Sequence, residues 1–274
     1  MSSKCFHLIT ITSPEAFSPV VDCLWTSFSQ PYMPFLNTLF PVFSPSPSAF
    51  AAAVAESKIR MWEWHTTDPS SSWVAVVDDT TEKVLGAAHW NHHDSNPYEH
   101  GIPDLTAVWW PEGEGREFAT SMMAQCYGLR GKRMWRAHAR RSSLATSTAV
   151  LANPRSSVPE LDIMFTHPSH RQKGVGSLLM KYGMDLAAEK NLEVVVEASE
   201  DGRWLYDKFG LRSLGKEVFD TSKKNPSDLW RKLAHEFGYV AHYWMWKPKE
   251  GVYVEGVTKC PWEVEIPGSK VNGH

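Results

Sequence analysis

Hydrophobic residues recur along the chain with two different periods, and each change of period marks the boundary of a predicted element. Alternation of apolar and polar residues is typical of strands, whereas apolar residues three and four apart are typical of helices. Strands are predicted at residues 5–11, 73–77, 84–90, 159–166, 192–198, 211–219 and 239–246, with a further edge strand at 262–266. Helices are predicted to begin at Ser13 and to cover residues 49–63, 112–141, 175–190, 202–209 and 227–237, with loops at 40–48 and 142–158.

Two of the predicted helices carry additional expectations. On the alanine-rich helix 49–63, the spacing of Ile59 and Trp62 predicts that both side chains face the core. Gly128 and Gly131 weigh against a single continuous helix over residues 112–141, because glycine is a poor helix former.

Composition indicates a globular, water-soluble chain with a sizeable core. The chain has 274 residues, 42% of them hydrophobic, with 13 tryptophans, and we interpret it as one domain spanning residues 1–274. A net charge of −3 gives no reason to expect nucleic acid or an anionic membrane as a partner. No apolar run approaches the roughly 20 residues that span a bilayer, and no signal peptide is recognisable. Four scattered cysteines indicate reduced thiols, so we expect a cytoplasmic protein whose oligomeric state the sequence does not define.

The segment after the strand 159–166 has the pattern of a strand, a tight loop and a helix. Thr166 ends an apolar run, and Pro168 prevents the strand from continuing. Apolar residues then recur on one helical face, beginning at Val175 and including Leu179. A helix therefore begins a few residues beyond the end of this strand.

The start of that helix is suited to binding an anion. The first amides of a helix have no partner inside it, and the helix dipole is positive at this end. Gly174 and Gly176 leave the backbone bare, so a phosphate can approach closely, while Arg171 and Lys173 add positive charge. A Rossmann motif is excluded because Leu179 stands where its third glycine belongs, and a Walker loop lacks its Gly-Lys-Ser/Thr.

These residues resemble a known family of enzymes. Arg171-x-x-Gly174-x-Gly176, preceded by Thr166-x-Pro168, is similar to the acetyl-CoA motif of the GNAT superfamily of N-acetyltransferases. A second match is independent of the first: the segment from Gly202 to Leu211, with Tyr206 followed four residues later by Gly210, resembles that family's Tyr-x-x-x-Gly-Phe segment. Leu211 replaces the usual phenylalanine, and the two matches together cover residues 160–211.

The resemblance implies an α+β, three-layer fold with a twisted mixed sheet. Its fourth and fifth strands run parallel and splay apart, with helices on both sides, and the co-substrate acetyl-CoA enters the gap. The backbone of residues 164–166 is implied to pair with the pantetheine arm and the loop to hold the pyrophosphate. The implied cofactor-binding residues are Met164, Phe165, Thr166, Arg171, Gln172, Lys173, Gly174, Val175, Gly176, Ser177 and Ser199, the last standing where many relatives have asparagine.

Transfer of an acetyl group to an amine requires a base for the amine and a proton for the leaving thiolate. Tyr206 matches the family tyrosine beside the departing sulfur, so the resemblance implies that it is the proton donor. Glu160, eleven residues before Arg171, is the first candidate for the base. Asp162 on the same strand face and Glu197 on the facing strand are alternatives, and a water relay without a dedicated base is another.

The remaining chemistry-bearing residues give weaker indications. We interpret His89, His92 and His93 as solvent-facing or loop residues, and their spacing on a strand gives no reason to expect a metal site. Aromatic residues follow the parting strands; we expect most of them to be core residues and some to line an acceptor pocket, and they are Trp204, Tyr239, Tyr243, Trp244 and Trp246.

The sequence therefore predicts an acetyl-CoA-dependent N-acetyltransferase that acts on a primary amine of a small molecule. Two alternatives remain open at this point. The same fold could bind or sense an acyl-CoA without transfer, or it could transfer a different acyl chain or use a hydroxyl acceptor. The identity of the acceptor is not determined by the sequence.

Overall fold

The structure is a computed structural model that describes residues 5–93, 97–98, 100–144, 158–238, 240–249 and 251–260. Within these residues, seven strands form one sheet in the order β1-β2-β3-β4-β5-β7-β6. The strands are β1 (Phe6–Thr10), β2 (Ser71–Asp78), β3 (Val84–His93), β4 (Val158–Thr166), β5 (Val194–Ala198), β6 (Arg212–Val218) and β7 (Ala241–Lys247). All neighbouring strands are antiparallel except β4 and β5, which are parallel.

The described part of the chain also contains seven α-helices. They are α1 (Pro14–Ser29), α2 (Phe35–Leu39), α3 (Pro47–Thr67), α4 (Glu114–Leu144), α5 (Val175–Glu189), α6 (Arg203–Lys208) and α7 (Asp228–Phe237). The predicted start at Ser13 is confirmed, because its side chain accepts a hydrogen bond from the Ala16 amide. The short helix α2 was not predicted from the sequence.

The helices cover the sheet on both faces, which gives the predicted three layers. Alternate residues of β2 enter two different clusters: Val74 and Val76 pack with α5, whereas Trp73 and Ala75 pack with α1. We call the sheet face that packs with α5 the α5 face, and the opposite face, which packs with α1, the α1 face. Helix α4 lies on the α1 face further along the sheet, since its Met134 packs with residues of β5 and β7. The predicted α+β fold is confirmed.

Strands β4 and β5 part soon after they meet. Only two residue pairs join them, Glu160 with Val195 and Leu161 with Val196. On its other side β4 pairs with β3 up to Thr166, but the register shifts at Asp162, which is left over as the extra residue of a β-bulge. Asp162 on β4 and Glu197 on β5 are therefore the first residues beyond the point where the strands separate.

The helix predicted over residues 112–141 is confirmed as α4, which runs without interruption through Gly128 and Gly131, and a side chain at Gly131 would collide with Ile102. Two other predictions about local structure were wrong, each because tertiary packing outweighed a local signal. Strand β3 extends to His93 instead of ending before Asn91. Ile59 is 73% exposed, although Trp62 packs against the core as expected.

The face of α3 that turns inward contains a buried arginine, which explains the error at Ile59. Arg60 is 9% exposed, and its guanidinium lies over the rings of Trp64 and Trp109. Its charge is paired with Glu56, and its Nη2 also donates to a backbone carbonyl of α2. Because a paired arginine can be buried beside aromatic rings, the apolar spacing of this helix did not reveal its inner face.

The predicted loop at residues 142–158 is only partly described. Residues 142–144 belong to α4 and Val158 begins β4, and the rest lie outside the described residues. The predicted edge strand at 262–266 and the residue Tyr239 also lie outside them.

Gly183 allows α5 to approach β3 closely, and this contact gives a prediction about stability. A Cβ atom at Gly183 would lie 2.4 Å from ring atoms of Trp90, which is fully buried. We expect Gly183→Ala to lower the free energy of unfolding by about 2 kcal/mol, because overpacking outweighs the better helix propensity of alanine. Urea denaturation followed by tryptophan fluorescence measures the change.

Gly128→Ala is the matched control for this prediction. A Cβ atom there would come no closer than 4.0 Å to Ile102, so the substitution meets no steric obstacle. Helix propensity alone then predicts a gain of about 0.5–1 kcal/mol. Equal effects of the two substitutions would contradict the close contact at Gly183.

Candidate functional site

The loop between β4 and α5 forms a cradle of backbone amides. Gly174 is the residue before α5 and has φ of 94°, while Gln172 also lies in the left-handed region at 60°. The first hydrogen bond of α5 runs from the Leu178 amide to the Gly174 carbonyl. The amides of residues 175–177 therefore have no partner within the helix, and alternating backbone conformations of this kind make a concave anion site.

Positive charge surrounds this cradle. Arg171 and Lys173 are both exposed in the loop, and Arg171 is held in place by a 2.7 Å hydrogen bond from its Nη2 to the Ser27 carbonyl. His167 and His170 lie beside them, with ring centroids 5.7 Å apart. The combination of free amides and cations fits a diphosphate.

The two glycines of the cradle serve different purposes. Gly174 requires its left-handed conformation, which a residue with a Cβ adopts at a cost. Gly176 faces the protein, because a Cβ there would lie 3.1 Å from the side chain of Leu205 on α6. Gly176 therefore lets α6 pack on the first turn of α5, whereas Gly174 shapes the loop itself.

The edge of β4 that faces β5 opens beside the cradle. Met164, Phe165 and Thr166 pair with β3 on one side, and within the described residues they have no ladder partner on the β5 side. Backbone groups along this edge can therefore pair with an extended ligand.

Tyr206 lies on the α5 face, close to the end of β5. Its ring is buried in the cluster that also contains Val175 of α5 and Ala198 of β5, and burial raises the pKa of its hydroxyl above the ordinary value. A Cβ at Gly202 would come within 3.1 Å of this ring and 3.3 Å of Ser199 Oγ. The hydroxyl of Ser199 accepts a hydrogen bond from the Gly202 amide at 3.2 Å, which secures the turn before α6.

Arg130 of α4 holds together the three carboxylates that the sequence offered as bases. Its Nη1 lies 2.8 Å from Asp162 Oδ1 and 2.9 Å from Glu160 Oε1. Its Nε and Nη2 donate to Glu197 Oε2 at 2.8 and 2.6 Å. The guanidinium thus bridges β4 and β5 at the point where they part, on the α1 face.

This cluster sets the charge states of its members. Burial by itself would raise the pKa of Asp162, but the charge of Arg130 and a hydrogen bond with His89 outweigh it and lower that pKa. Burial dominates at Glu197, whose pKa is raised despite Arg130. Asp162 is therefore a weak base, and Glu197 is the stronger one.

Histidines extend the cluster toward β2 and β3. His89 bonds through Nδ1 to Asp162 Oδ2 at 3.0 Å and through Nε2 to Ser71 Oγ at 2.7 Å, and Ser71 also bonds to His65 Nδ1. His93 Nε2 lies 3.3 Å from Glu160 Oε2. The interpretation of His89 and His93 as solvent-facing or loop residues was wrong, because both belong to β3 and support buried carboxylates.

A family comparison identifies the architecture to which this site belongs. A model described as Acetyltransferase (GNAT) family matches residues 36–211, more than half of the chain. The chain belongs to the GNAT family. The resemblance predicted from residues 160–211 is thereby confirmed and extends well upstream of the cradle. No curated protein matches the chain.

Solved structures agree with this GNAT assignment at the level of the fold. Arylalkylamine N-acetyltransferase 2 from Aedes aegypti is 12% identical with a TM-score of 0.52, covering 89% of this chain and 98% of its own. Mosquito arylalkylamine N-acetyltransferase like 5b and an agmatine N-acetyltransferase in an apo form each have 12% identity and a TM-score of 0.51. Each aligns over 88% of this chain and 98–99% of its own.

Several buried polar atoms of this GNAT protein have no hydrogen-bond partner within the described residues, and two of them lie close together beside the site. Glu197 Oε1 and His242 Nε2 lie 4.0 Å apart, and each lacks a partner within the described residues. Burial lowers the pKa of His242 to about 4, so its imidazole is neutral at pH 7. The pair adjoins the Arg130 cluster.

Several residues of the site had no signal in the sequence. Arg130 and His242 were not predicted, because their roles depend on contacts with strand residues 30 to 67 positions away in the chain. Of the aromatic residues near the parting strands, Trp244 and Trp246 are core residues under α4, as expected for most of them, whereas Trp204 is half-exposed on α6. Within the described residues, no group of His, Cys, Asp or Glu could hold a metal ion, and no helix could cross a membrane.

Proposed function

We propose that this protein transfers the acetyl group of acetyl-CoA to the primary amine of a small molecule by direct attack. The observation that carries the proposal is the parting of parallel strands β4 and β5 next to a cradle of free amides and cations. Family membership supports acyl transfer. The names of two structural neighbours, an arylalkylamine and an agmatine N-acetyltransferase, favour an amine acceptor.

The cradle and the free edge of β4 fit the two ends of the coenzyme. Amides 175–177, with Arg171, Gln172 and Lys173, would hold the pyrophosphate, and the side chain of Val175 would remain in the core. The backbone of residues 164–166 would pair with the pantetheine arm as an added strand. Ser199 lies beside Tyr206 at the other wall, so its hydroxyl is available to the same arm.

The reaction we propose forms a C–N bond and breaks the C–S bond of the thioester. The amine loses one proton, and the departing thiolate gains one, so no oxidant or further reactant is required. Tyr206 is our proton donor, since its raised pKa keeps the hydroxyl protonated at neutral pH.

Glu197 is the carboxylate we favour as the base. Its Oε1 lacks a hydrogen-bond partner within the described residues, and its raised pKa makes it a better proton acceptor. Glu160, our first candidate from the sequence, stays a prediction; both of its oxygens are held, one by Arg130 and one by His93.

Tyr206→Phe tests both the reaction and the donor. We expect wild-type protein to release CoA from acetyl-CoA in the presence of primary amines, and the variant to lose about 10²-fold in kcat, equivalent to ~2.7 kcal/mol. The KM for acetyl-CoA is expected to stay unchanged, because phenylalanine keeps the buried ring. Steady-state detection of free thiol measures both constants.

Tyr243→Phe is the matched control, because the Tyr243 hydroxyl bonds to Glu200 in the exposed part of the structure. Its kcat is expected to equal that of the wild type. An undiminished kcat in Tyr206→Phe would remove Tyr206 from the mechanism. Tight acetyl-CoA binding without CoA release on any amine would instead favour a coenzyme-sensing protein.

A further inference from the structure

A groove opens on the α1 face between helix α4 and the strands β6 and β7. Its volume is about 360 Å³, and its lining includes Gln125, Gly128, Leu129, Val218, Phe219 and His242. Sites for small organic ligands have volumes of about 300–1,000 Å³, so this groove is large enough for a small amine.

We call the end of the groove at His242 its inner end; His242 Nε2 lies 4.0 Å from Glu197 Oε1, beside the point where β4 and β5 part. On β7, Trp244 is opposite Glu197 of β5. His242 lies two residues earlier on β7, which places it closer to the open end of the gap. His242 faces the α1 face, since the neighbouring Tyr243 packs with the cluster of the α5 face. The cradle for the coenzyme is at the same open end, at the start of α5. A ligand in the groove would therefore meet the gap from the face opposite α5.

Two buried polar atoms lie side by side at the inner end: the carboxylate oxygen Glu197 Oε1 accepts hydrogen bonds, and His242 Nε2 accepts in the tautomer that carries the ring proton on Nδ1. His242 is 8% exposed, and its Nε2 lies 4.0 Å from Glu197 Oε1, both without a hydrogen-bond partner within the described residues. Buried polar atoms in folded proteins are almost always hydrogen-bonded, so these two neighbouring atoms are available to hydrogen-bond a ligand. With this separation, one ammonium nitrogen can lie about 2.8 Å from both atoms, the usual length of a charge-assisted hydrogen bond.

We propose that this groove is the acceptor site, and that it binds a primary monoamine with an apolar stem, its nitrogen between His242 and Glu197. The inference rests on the proposed function and names its substrate class.

The walls and rim explain this choice of stem. Leu129, Val218 and Phe219 present apolar surface to the groove. At the rim, Glu217 is paired with Arg133, and the exposed Lys132 has no ion-pair partner within the described residues. A second ammonium at the far end of the ligand would meet this cation, so a diamine is disfavoured.

Blocking the groove is the first test. Ala124 lines the groove from an exposed position on α4, so Ala124→Trp fills space without disturbing the core. In calorimetric titration with CoA present, we expect n-butylamine to bind the wild type, and the variant to bind it at least about tenfold more weakly. Ala52→Trp, at an exposed position of α3, is the matched control and should bind n-butylamine as the wild type does.

Changing the inner end is the second test. His242→Leu replaces the acceptor by an apolar side chain of similar size, and it should weaken n-butylamine binding about 10–100-fold. His242→Gln restores an acceptor and should recover most of the affinity, which a purely structural role would not produce. The wild type should also bind 1,4-diaminobutane more weakly than n-butylamine.

The outcomes separate this inference from the proposed function. If the wild type acetylates n-butylamine but Ala124→Trp keeps its affinity and KM, the groove is not the acceptor site although the activity stands. Tighter binding of the diamine, or equal affinity of His242→Leu and the wild type, would also overturn the inference. If the wild type binds n-butylamine in the groove but never binds acetyl-CoA, the proposed function fails and the site remains.

Discussion

Replacement of Arg130 by methionine is expected to lower the free energy of unfolding by about 4 kcal/mol at pH 7, since removal of one partner leaves buried charges unpaired. Arg130 is 8% exposed and contacts Glu160, Asp162 and Glu197 at the point where β4 and β5 part. Without the guanidinium, three carboxylates would remain close together in a buried setting. Urea denaturation at pH 7 measures the loss.

The pH dependence of this loss has a defined sign. In the wild type, Arg130 lowers the pKa of Asp162 in the folded state, so the stability it provides is present above pH ~4, the unfolded-state pKa, and is lost as the pH falls. In the variant, burial would raise the carboxyl pKa values above those of the unfolded chain. That protein would then lose stability as the pH rises above ~4. The difference between the two proteins should therefore be larger at pH 7 than at pH 4.5.

Lys132→Met on the same helix is the control for this measurement. Lys132 is exposed, so its removal should change the free energy of unfolding by no more than about 0.5 kcal/mol. A double variant, Arg130→Met with Glu160→Gln, should recover part of the stability because one buried charge has been removed. Equal losses in Arg130→Met and Lys132→Met would show that the cluster contributes nothing to folding.

Gly174→Glu is expected to weaken acetyl-CoA binding by about 10³-fold, or ~4 kcal/mol in binding free energy. The substitution places a negative charge in a cradle of amides and cations that we propose for the pyrophosphate. It also forces a residue with a Cβ into a left-handed conformation with φ of 94°, at a cost of about 1–2 kcal/mol. Thermal-shift titration with acetyl-CoA measures the affinity, and at 100 times Kd the wild type should gain about 2.7 kcal/mol.

Gly174→Gln separates the charge from the strain. Glutamine has nearly the size of glutamate and the same backbone penalty, but it carries no charge. The glutamine variant should therefore bind acetyl-CoA more tightly than the glutamate variant, while both unfold at similar urea concentrations. Unchanged acetyl-CoA affinity in Gly174→Glu would place the coenzyme elsewhere and refute the proposed cradle.

The shape of the cradle follows from effects that are local in the chain. Pro168 ends a strand because it lacks an amide proton, and Gly174 adopts a conformation that other residues avoid. These effects act within a few residues, so the sequence displays them directly. In the folded protein Gly174 lies before α5, as predicted, and Gly210 has φ of 82° after α6.

The cluster at the parting strands shows the opposite case. Arg130 and the residues it binds are separated by 30 to 67 positions, and nothing near Arg130 distinguishes it from a solvated arginine on a helix. The bulge at Asp162 likewise depends on the register between β3 and β4. The position of α4 on the sheet determines which carboxylate oxygens Arg130 contacts. It therefore determines which oxygen is left without a hydrogen-bond partner within the described residues.

By itself, the sequence determined the order of the strands, the cradle and the family, because backbone sterics, helix termini and apolar periodicity are local. Only the tertiary structure decided that Arg130 joins three carboxylates, that Ile59 faces solvent and that His242 ends a groove. Those outcomes depend on the packing of distant segments against one another. Whether a charged or an apolar side chain is buried depends on the residues that pack against it. Those residues come from distant parts of the chain, so a local sequence pattern does not reveal them.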